Sequence, residues 1–446
     1  MKRGLFFFIG VLILSTGLMA QQEVANIMDG ELNKLKALKE LKLPQGHMLK
    51  SLPTTKDNTA SQYFPEVFGQ HGWSCNQASS IGYVFTYEMN AIRNLAANSA
   101  ANLYPPLAVW SLLNDGDETN GVSYFDTWKA ISMNGIPNLE DYNYNTNDGR
   151  IWMTGYDKYY RGMQNRTEDV YYINTRTEEG INTLKHWLND RMDGSPYGGV
   201  GNFQIGSTGM KHTMIPEGEE GAGKQIMTSY NDRVGHAMTV VGWNDDIRWD
   251  FNLDGVYTND VDINDDGIVD ARDWENGAFL VVNSWGQGWC DFGYVFVPYR
   301  LFAEDSWHDG IWQSSVTVIK PRKEYLPKLT YKVGMSYTKR GQLKIIAGVS
   351  QSTTNNRPDH VLEFPFFNYN GGELPMQGIL DMNSDFIEFG IDVSPLLQYI
   401  DPDKEAKFYL DIYQHQGDSI AGNGQVKYLS LMDYGGNEVF ERASPM

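Results

Sequence analysis

Hydrophobic and polar positions change their rhythm twice along this chain. Ile27, Leu32, Leu35, Leu38 and Leu41 recur at roughly helical spacing until Pro44 and Gly46 break the run. Residues 75–97 repeat that period: Ala78, Ile81, Gly82, Phe85, Met89 and Ile92 share one stripe, with Cys75 at its start. "INTLKHWLNDRMD", 181–193, predicts another helix. From about residue 234 the apolar runs shorten and are bounded by glycine, as in "GHAMTVVGW", "GAFLVVNSW" and "GYVFVPY", which read as strands. Helices first and strands later predict an α+β domain over 51–318, not alternating βαβ units.

Past Lys320 the composition shifts again. "KPRKEYLPK" reads as a linker with two prolines. Short alternating segments follow over 323–446: Leu343, Ile345, Ala347 and Val349 in one, Ile387, Phe389, Ile391 and Val393 in another. Separated by Gly, Asn and Asp turns and without an internal repeat, they predict a β-sandwich accessory domain.

The first twenty residues change the picture of where the chain works. Lys2 and Arg3 precede an apolar run of about a dozen residues that ends in small residues at Ala20, the pattern of a secretory signal peptide over 1–20. The run falls short of the ~20 residues a spanning helix needs, and no later segment is apolar enough to span. A secreted or periplasmic protein is the expectation. Residues 21–50 then read either as a pro-segment or as an amphipathic linker. The formal charge of -20, from 56 acidic and 36 basic residues, disfavours nucleic acid and anionic membranes as partners.

Two cysteines are too few for a disulfide framework in an exported chain of 446 residues. Cys75 can therefore be a buried bystander, half of a single bridge to Cys290, or a nucleophile. A helix start favours the thiolate. His236, entering the strand "GHAMTVVGW", would be a rigidly held base, and Asn283 in "VVNSWGQGW" could orient its ring, with Trp285 and Trp289 nearby to exclude water.

The order Cys75, then Gly235-His236-Ala237, then Asn283-Ser284-Trp285-Gly286 running through Gly288-Trp289 to Gly293-Tyr294 resembles the papain family of cysteine peptidases. "YFPEVFGQHGWSC" is similar to that family's approach to its nucleophile. "NGVSYFDTWKAISMNGIPNLEDYNY" looks like its mid-domain stretch, so the resemblance spans roughly 51–318. It implies a two-subdomain catalytic domain, with a helical left half and a β-barrel-like right half. It also implies Cys75 as nucleophile, His236 as ion-pair partner and base, and Asn283 as the orienting group. Gln70 is implied as oxyanion donor together with the Cys75 backbone N–H. The chain departs from the family pattern in three places. Gln70 lies five steps before Cys75 where the family has six, Asn76 replaces an aromatic residue, and Cys290 stands where the family has glycine, which makes it a small packing residue. His71 reads as a surface histidine.

Between the histidine and asparagine strands, over about 248–275, lies "DFNLDGVYTNDVDINDDGIVDARDW". Asp262, Asn264, Asp266, Gly267, Asp270 and Asp273 take the 1, 3, 5, 6, 9 and 12 positions of a calcium loop; Ile268 would lend its carbonyl and turn its side chain to the core. Aspartate at the last position is similar to dockerin-type loops. Asp250, Asn252, Asp254 and Gly255 repeat the beginning, which suggests a second site closed by Asp260 or Asp262. The expected Ca2+ is structural.

The reading is a secreted cysteine endopeptidase acting on protein or peptide substrates through a thioester, its C-terminal domain binding substrate, a surface or the pro-segment. The alternative is an inactive papain-like scaffold that binds protein or glycan. A transglutaminase-like acyl transferase fits less well, since such enzymes usually carry Asp in the third role.

Overall fold

A computed structural model describes residues 29–44, 46, 51–143, 148–378, 385–415, 420–436 and 440–443. The signal-like stretch 1–20 lies outside the described residues, as does most of 45–50. Among the described residues no helix is long and apolar enough to cross a membrane.

The chain folds as a mixture of α and β elements. The segment beginning at Cys75 is continuous helix from Cys75 to Arg93. Its middle, Ala78–Phe85, is wound as a π-helix, and Thr86 Oγ1 donates to the Ile81 carbonyl five residues back, 3.0 Å. Asn94, left-handed at φ 56, ends it short of the 75–97 the pattern suggested, because its own turn closes back onto the Ala91 and Asn90 carbonyls. Every residue of the π-helical stretch is buried. The apolar stripe seen in the sequence thus belongs to a helix enclosed on all sides, with Ser79 and Ser80 satisfied by the Met238 and Asn76 carbonyls.

Beside it stands an eight-stranded sheet in the order Lys39–Glu40, Thr167–Asn174, Ser315–Pro321, Gly201–Met214, Gln225–Arg248, Asn276–Val282 and Tyr294–Pro298, with Thr55–Asp57 added to Gln225–Arg248. The two-residue period of a strand, shifted by an irregularity between Val240 and Gly242, divides the middle of Gln225–Arg248 between two cores. Ala237 and Val241 pack with Ile81, Val84 and Phe85 of the buried helix. Met238, Val240 and Trp243 pack with Ile181, Leu184, Trp187 and Leu188 of the helix Glu178–Asp190. That helix begins three residues before the predicted 181, where Thr177 accepts from the Gly180 N–H as its cap.

Residues 29–36 form a helix that docks by Lys34 on Asp126, 2.7 Å, and by Glu31, which accepts from Ser123 Oγ, 2.7 Å. Strand Lys39–Glu40 then runs parallel to Tyr171–Tyr172 at the sheet edge, four strands from the one carrying His236.

The C-terminal residues build two antiparallel sheets, one ordered His360–Asn368, Leu343–Ser350, Lys407–Gln414, the other Phe386–Asp392, Leu329–Tyr337, Gly424–Asp433, Phe440–Ala443. Leu343, Ile345, Ala347 and Val349, and Ile387, Phe389, Ile391 and Val393, are buried, as their alternation predicts. The proline-containing stretch read as a linker is pinned along its length. Ser315–Pro321 is strand, the Arg322 N–H donates to the Arg166 carbonyl (2.9 Å), and Tyr325 OH donates to Asp392 Oδ2 (2.5 Å). A single apolar core joins Trp128, Ile131 and Met163 to Phe367, Phe389 and Ile391 across the boundary. Arg166 and Asp392 pair within it at 2.6 Å with side chains 4% and 0% exposed.

Candidate active site

Cys75 sits at the first position of its helix, where the leading N–H groups have no intrahelical acceptor and the dipole favours negative charge. The buried thiol is held against the strand that carries His236 and donates to the Gly235 carbonyl at 3.6 Å. His236 and Asn283 are buried as well. His236 Nε2 meets Asn283 Oδ1 at 2.8 Å.

The hydrogen bonds fix the histidine tautomer. Asn283 Oδ1 also faces the Ser284 backbone N–H at 2.7 Å, and an amide N–H can only donate, so this atom is the carboxamide oxygen. Facing an acceptor, His236 Nε2 must carry the hydrogen, which leaves the Nδ1 lone pair as the base. Trp285 lies over the imidazole, centroids 4.7 Å apart, and Trp289 meets Trp285 edge-on at 5.8 Å. Trp285 alone thus covers the histidine, while Trp289 packs on Trp285 and on His212.

Burial sets the charge state. It pushes the Cys75 thiol above its ordinary range, against the opposing pull of the Ala237, Asn76 and Cys75 backbone N–H groups. It pushes His236 down to about 4, opposed by the Asn283 hydrogen bond. Burial thus works against the charged form of both groups. The unfolded chain takes up the histidine proton near 6.5 and the folded one only near 4, so acid favours unfolding between these values. Stability present above pH 6.5 should be lost progressively down to pH 4, with His236 contributing on the order of 3 kcal/mol. Urea unfolding at pH 7 and pH 4.5 checks this: His236→Gln should remove that part of the loss. Stability that rises on acidification would show the imidazolium to be the resting form.

Gln70 is brought to the same place and bonded through its backbone and its side chain. Its N–H donates to the Ser284 carbonyl (2.7 Å), its Oε1 accepts from Ser284 Oγ (2.7 Å), and its Nε2 donates to the Gly72 carbonyl (2.9 Å). Ser284 thus orients both Asn283 and Gln70; the sequence reading passed over it, although it adjoins Asn283. Asn76, in the place of an aromatic residue, donates to the Val122 carbonyl at 2.8 Å, as does Gln77 at 2.9 Å, and together they anchor the helix start. His71, read as a surface histidine, is partly exposed, and its Nε2 lies 2.6 Å from Glu118 Oε1.

Both cysteines are free. Cys290 lies with its sulfur 3.7 Å from His212 Nδ1, so the bridge to Cys75 does not form. Its backbone is left-handed, φ 43, the reason glycine suits this position. Burial and Asp291 push its thiol up to about 12.

In the acidic insertion the two half-similar sequences fold alike. Asp262 Oδ2 accepts from the Gly267 N–H (2.8 Å), Asn264 Oδ1 from Asp266 (3.0 Å) and Asp266 Oδ1 from Ile268 (2.9 Å). Asp250, Asn252 and Asp254 accept from Gly255, Asp254 and Val256 at 2.8, 3.1 and 2.7 Å. Gly255 and Gly267 are left-handed at φ 81 and 84, which only glycine adopts freely. Asp273 folds back to accept from the Ile263 and Asn264 N–H groups, and Asp270 caps the following turn. The first half is closed by a residue the sequence reading did not consider: buried Glu275 accepts from the Phe251 N–H, 2.8 Å, and from Thr258, 3.0 Å. The Ile268 side chain is 58% exposed, so it does not enter the core as expected; the loop stands clear of the sheet there.

Among the described residues no three His, Cys, Asp or Glu side chains are drawn together as a metal shell. The donor set still fits a hard cation. Asp262 Oδ1 is buried without a partner, and the Arg272 guanidinium bridges Asp266 and Asp270 at 2.6 and 2.7 Å, a cationic group already seated among the carboxylates. The insertion joins Arg248 to Asn276, at the end of the strand pair opposite to His236 and Asn283.

No family model and no curated protein matches the chain. Among solved structures it is similar to procathepsin B S9 from Trypanosoma congolense, at 12% identity and TM-score 0.40 over 64% of this chain and 83% of that one. It is similar to xylellain, a cysteine protease from Xylella fastidiosa, at 13% identity and TM-score 0.40 over 63% and 91%. A clostridial cysteine protease, Cwp84 after propeptide cleavage, is similar over 84% and 87% at 15% identity and TM-score 0.38.

Proposed function

We propose that the chain is a secreted papain-like cysteine peptidase that hydrolyses peptide bonds in proteins. The observation that carries this reading is the Ser284–Asn283–His236 hydrogen-bond chain, which leaves Nδ1 basic on the strand against which the Cys75 thiol is packed. In this reading Cys75 Sγ attacks the scissile carbonyl carbon while its proton passes to His236 Nδ1. The same proton is given to the departing amine as the C–N bond breaks, leaving a thioester. Water, deprotonated by Nδ1, then attacks the thioester; the C–S bond breaks, the acid product leaves and Sγ regains its proton. Asn283 holds the ring and stabilises the transient imidazolium. The developing oxyanion is met by the Cys75 N–H, and by Gln70 Nε2 if it exchanges the Gly72 carbonyl for the substrate.

The left half of the catalytic domain is read as the buried Cys75 helix with its neighbours and the right half as the eight-stranded sheet, followed by a β-sandwich. Incubation with unfolded casein tests the activity: new amino termini should appear and should vanish after thiol alkylation. The burial of Cys75 and His236 and the Gln70 Nε2 hydrogen bond to the Gly72 carbonyl favour a second reading, a binding scaffold without turnover. Casein left intact under reducing conditions with calcium present would favour it.

We further propose that Asp262, Asn264, Asp266, Asp270, Asp273 and the Ile268 carbonyl hold Ca2+, with Asp250, Asn252, Asp254 and Glu275 around a second ion. The bound ion would supply positive charge that lets the packed carboxylates coexist. Because the insertion caps the end of the strand pair away from His236, its loss should act on stability and not on chemistry. Excess chelator should lower the melting temperature by roughly 5 °C, with kcat at 20 °C unchanged; an unchanged melting temperature would exclude a coupled ion.

A further inference from the structure

The loop Gly69–Ser74 that delivers Cys75 leans on a support built from two other segments. His71 Nε2 meets Glu118 Oε1 at 2.6 Å, and its ring stands edge-on to Trp110, centroids 6.1 Å apart. The same Glu118 oxygen accepts the Gly149 N–H at 2.7 Å, while the Glu118 carbonyl accepts from Trp73 N–H at 3.2 Å. The His71 carbonyl in turn accepts from Ser74 Oγ at 2.7 Å, directly before the nucleophile. Gly72 is left-handed at φ +53, and a Cβ there would fall 2.7 Å from the Trp110 ring and 2.9 Å from the Glu118 carbonyl oxygen. The loop is therefore pressed onto its support.

That support is braced from behind by the C-terminal sheets. Asn114 Nδ2 donates to the Gly149 carbonyl at 2.9 Å, and neighbouring Asp115 accepts from the Gly372 N–H at 2.8 Å. Arg340 lies over Trp152, 4.3 Å from its centroid, and donates to the Gly371 carbonyl (3.0 Å) and to the Arg150 carbonyl.

We propose that His71, acting through Glu118, is a positioning residue for Cys75, and that the C-terminal sheets hold this pair in place. The proposal rests on the peptidase reading. Both side chains are about one-third exposed, at 27% and 32%, so the pair adds little to global stability. Its effect falls on geometry, where a displacement of about 1 Å at a reacting atom can cost up to about a hundredfold in rate. A purely structural pair would show the opposite balance.

The test is steady-state kinetics with amide hydrogen exchange on the full chain. His71→Ala and Glu118→Gln should each lower kcat about tenfold with KM within about twofold and the melting temperature within about 2 °C. The double variant should be no slower than either single one. His71→Lys should restore activity only while Glu118 is present, and Asp115→Ala should act in the same direction more weakly. Wild-type kcat in the single variants, or losses that multiply, would overturn the proposal. If the wild type itself turns nothing over, the peptidase reading fails, and exchange still decides the support. Amides of 72–74 should exchange about tenfold faster in His71→Ala; unchanged exchange would overturn it.

Discussion

Cys75→Ala should abolish the proposed peptide-bond hydrolysis, lowering kcat by about four orders of magnitude or more while the fold persists. The magnitude follows from the division of labour at such sites. Removing the nucleophile of a coupled set costs nearly as much as removing the whole set, on the order of a million-fold in a serine protease. Stability should move far less. Exchanging Sγ for hydrogen at one buried position removes a small side chain whose hydrogen bond runs to the Gly235 carbonyl. A variant that keeps its melting temperature within a few degrees and loses turnover separates the chemistry from packing. A variant with undiminished turnover would remove Cys75 from the reaction.

Asp392→Ala destabilises the entire chain by about 3–5 kcal/mol, because it strands the Arg166 guanidinium in a buried site. Asp392 Oδ2 takes both Arg166 Nη2 and Tyr325 OH, its Oδ1 accepts from the Ser394 N–H, and its own N–H donates to Asn134 Oδ1. Burial pulls the Arg166 proton affinity below its ordinary value, against the raising influence of Asp392, so the carboxylate is what keeps the guanidinium tolerable there. Replacing both partners with apolar residues, Arg166→Met with Asp392→Leu, should recover much of the loss, since no charge is then left unpaired. Urea unfolding by tryptophan fluorescence reads both variants. A loss under about 1 kcal/mol in Asp392→Ala would mean that the pair behaves like one at the surface.

What the sequence made legible was set by local periodicity. The two-residue alternation of Leu343–Val349 and Ile387–Val393 predicts strands with buried faces because one side of each sheet is solvent-poor, and those residues are buried. Cys75 and Asn283 could be picked out because each stands at the end of an element whose hydrophobic pattern marks that end; His236, read as a strand start, lies inside Gln225–Arg248, where the apolar run begins after a register shift between Asn231 and His236. The π-helical winding of Ala78–Phe85 left no trace, since a period of 4.4 instead of 3.6 is invisible over eight residues whose neighbours enclose the helix completely. Ser284, Glu118 and Glu275 were missed for a different reason. Each acts on a partner far away in the chain, Gln70, His71 and Phe251, and such pairings arise only from tertiary packing. Proline punctuation at 321–327 marked a change of composition correctly. It said nothing about the core shared across that change, because Arg166, Asn134 and Trp128 lie more than a hundred residues upstream of the sheets they meet.

The proposed peptidase depends on a single reactive sulfur, that of Cys75, giving its proton to His236. The most direct measurement is peptide mapping by mass spectrometry after treatment with an epoxysuccinyl peptide, which alkylates a thiol only where an activated nucleophile and a substrate cleft coincide. The predicted result is one adduct, on Cys75, lost when His236 is changed to alanine. An adduct on Cys290, or adduct on Cys75 that forms equally well without the imidazole, would contradict it.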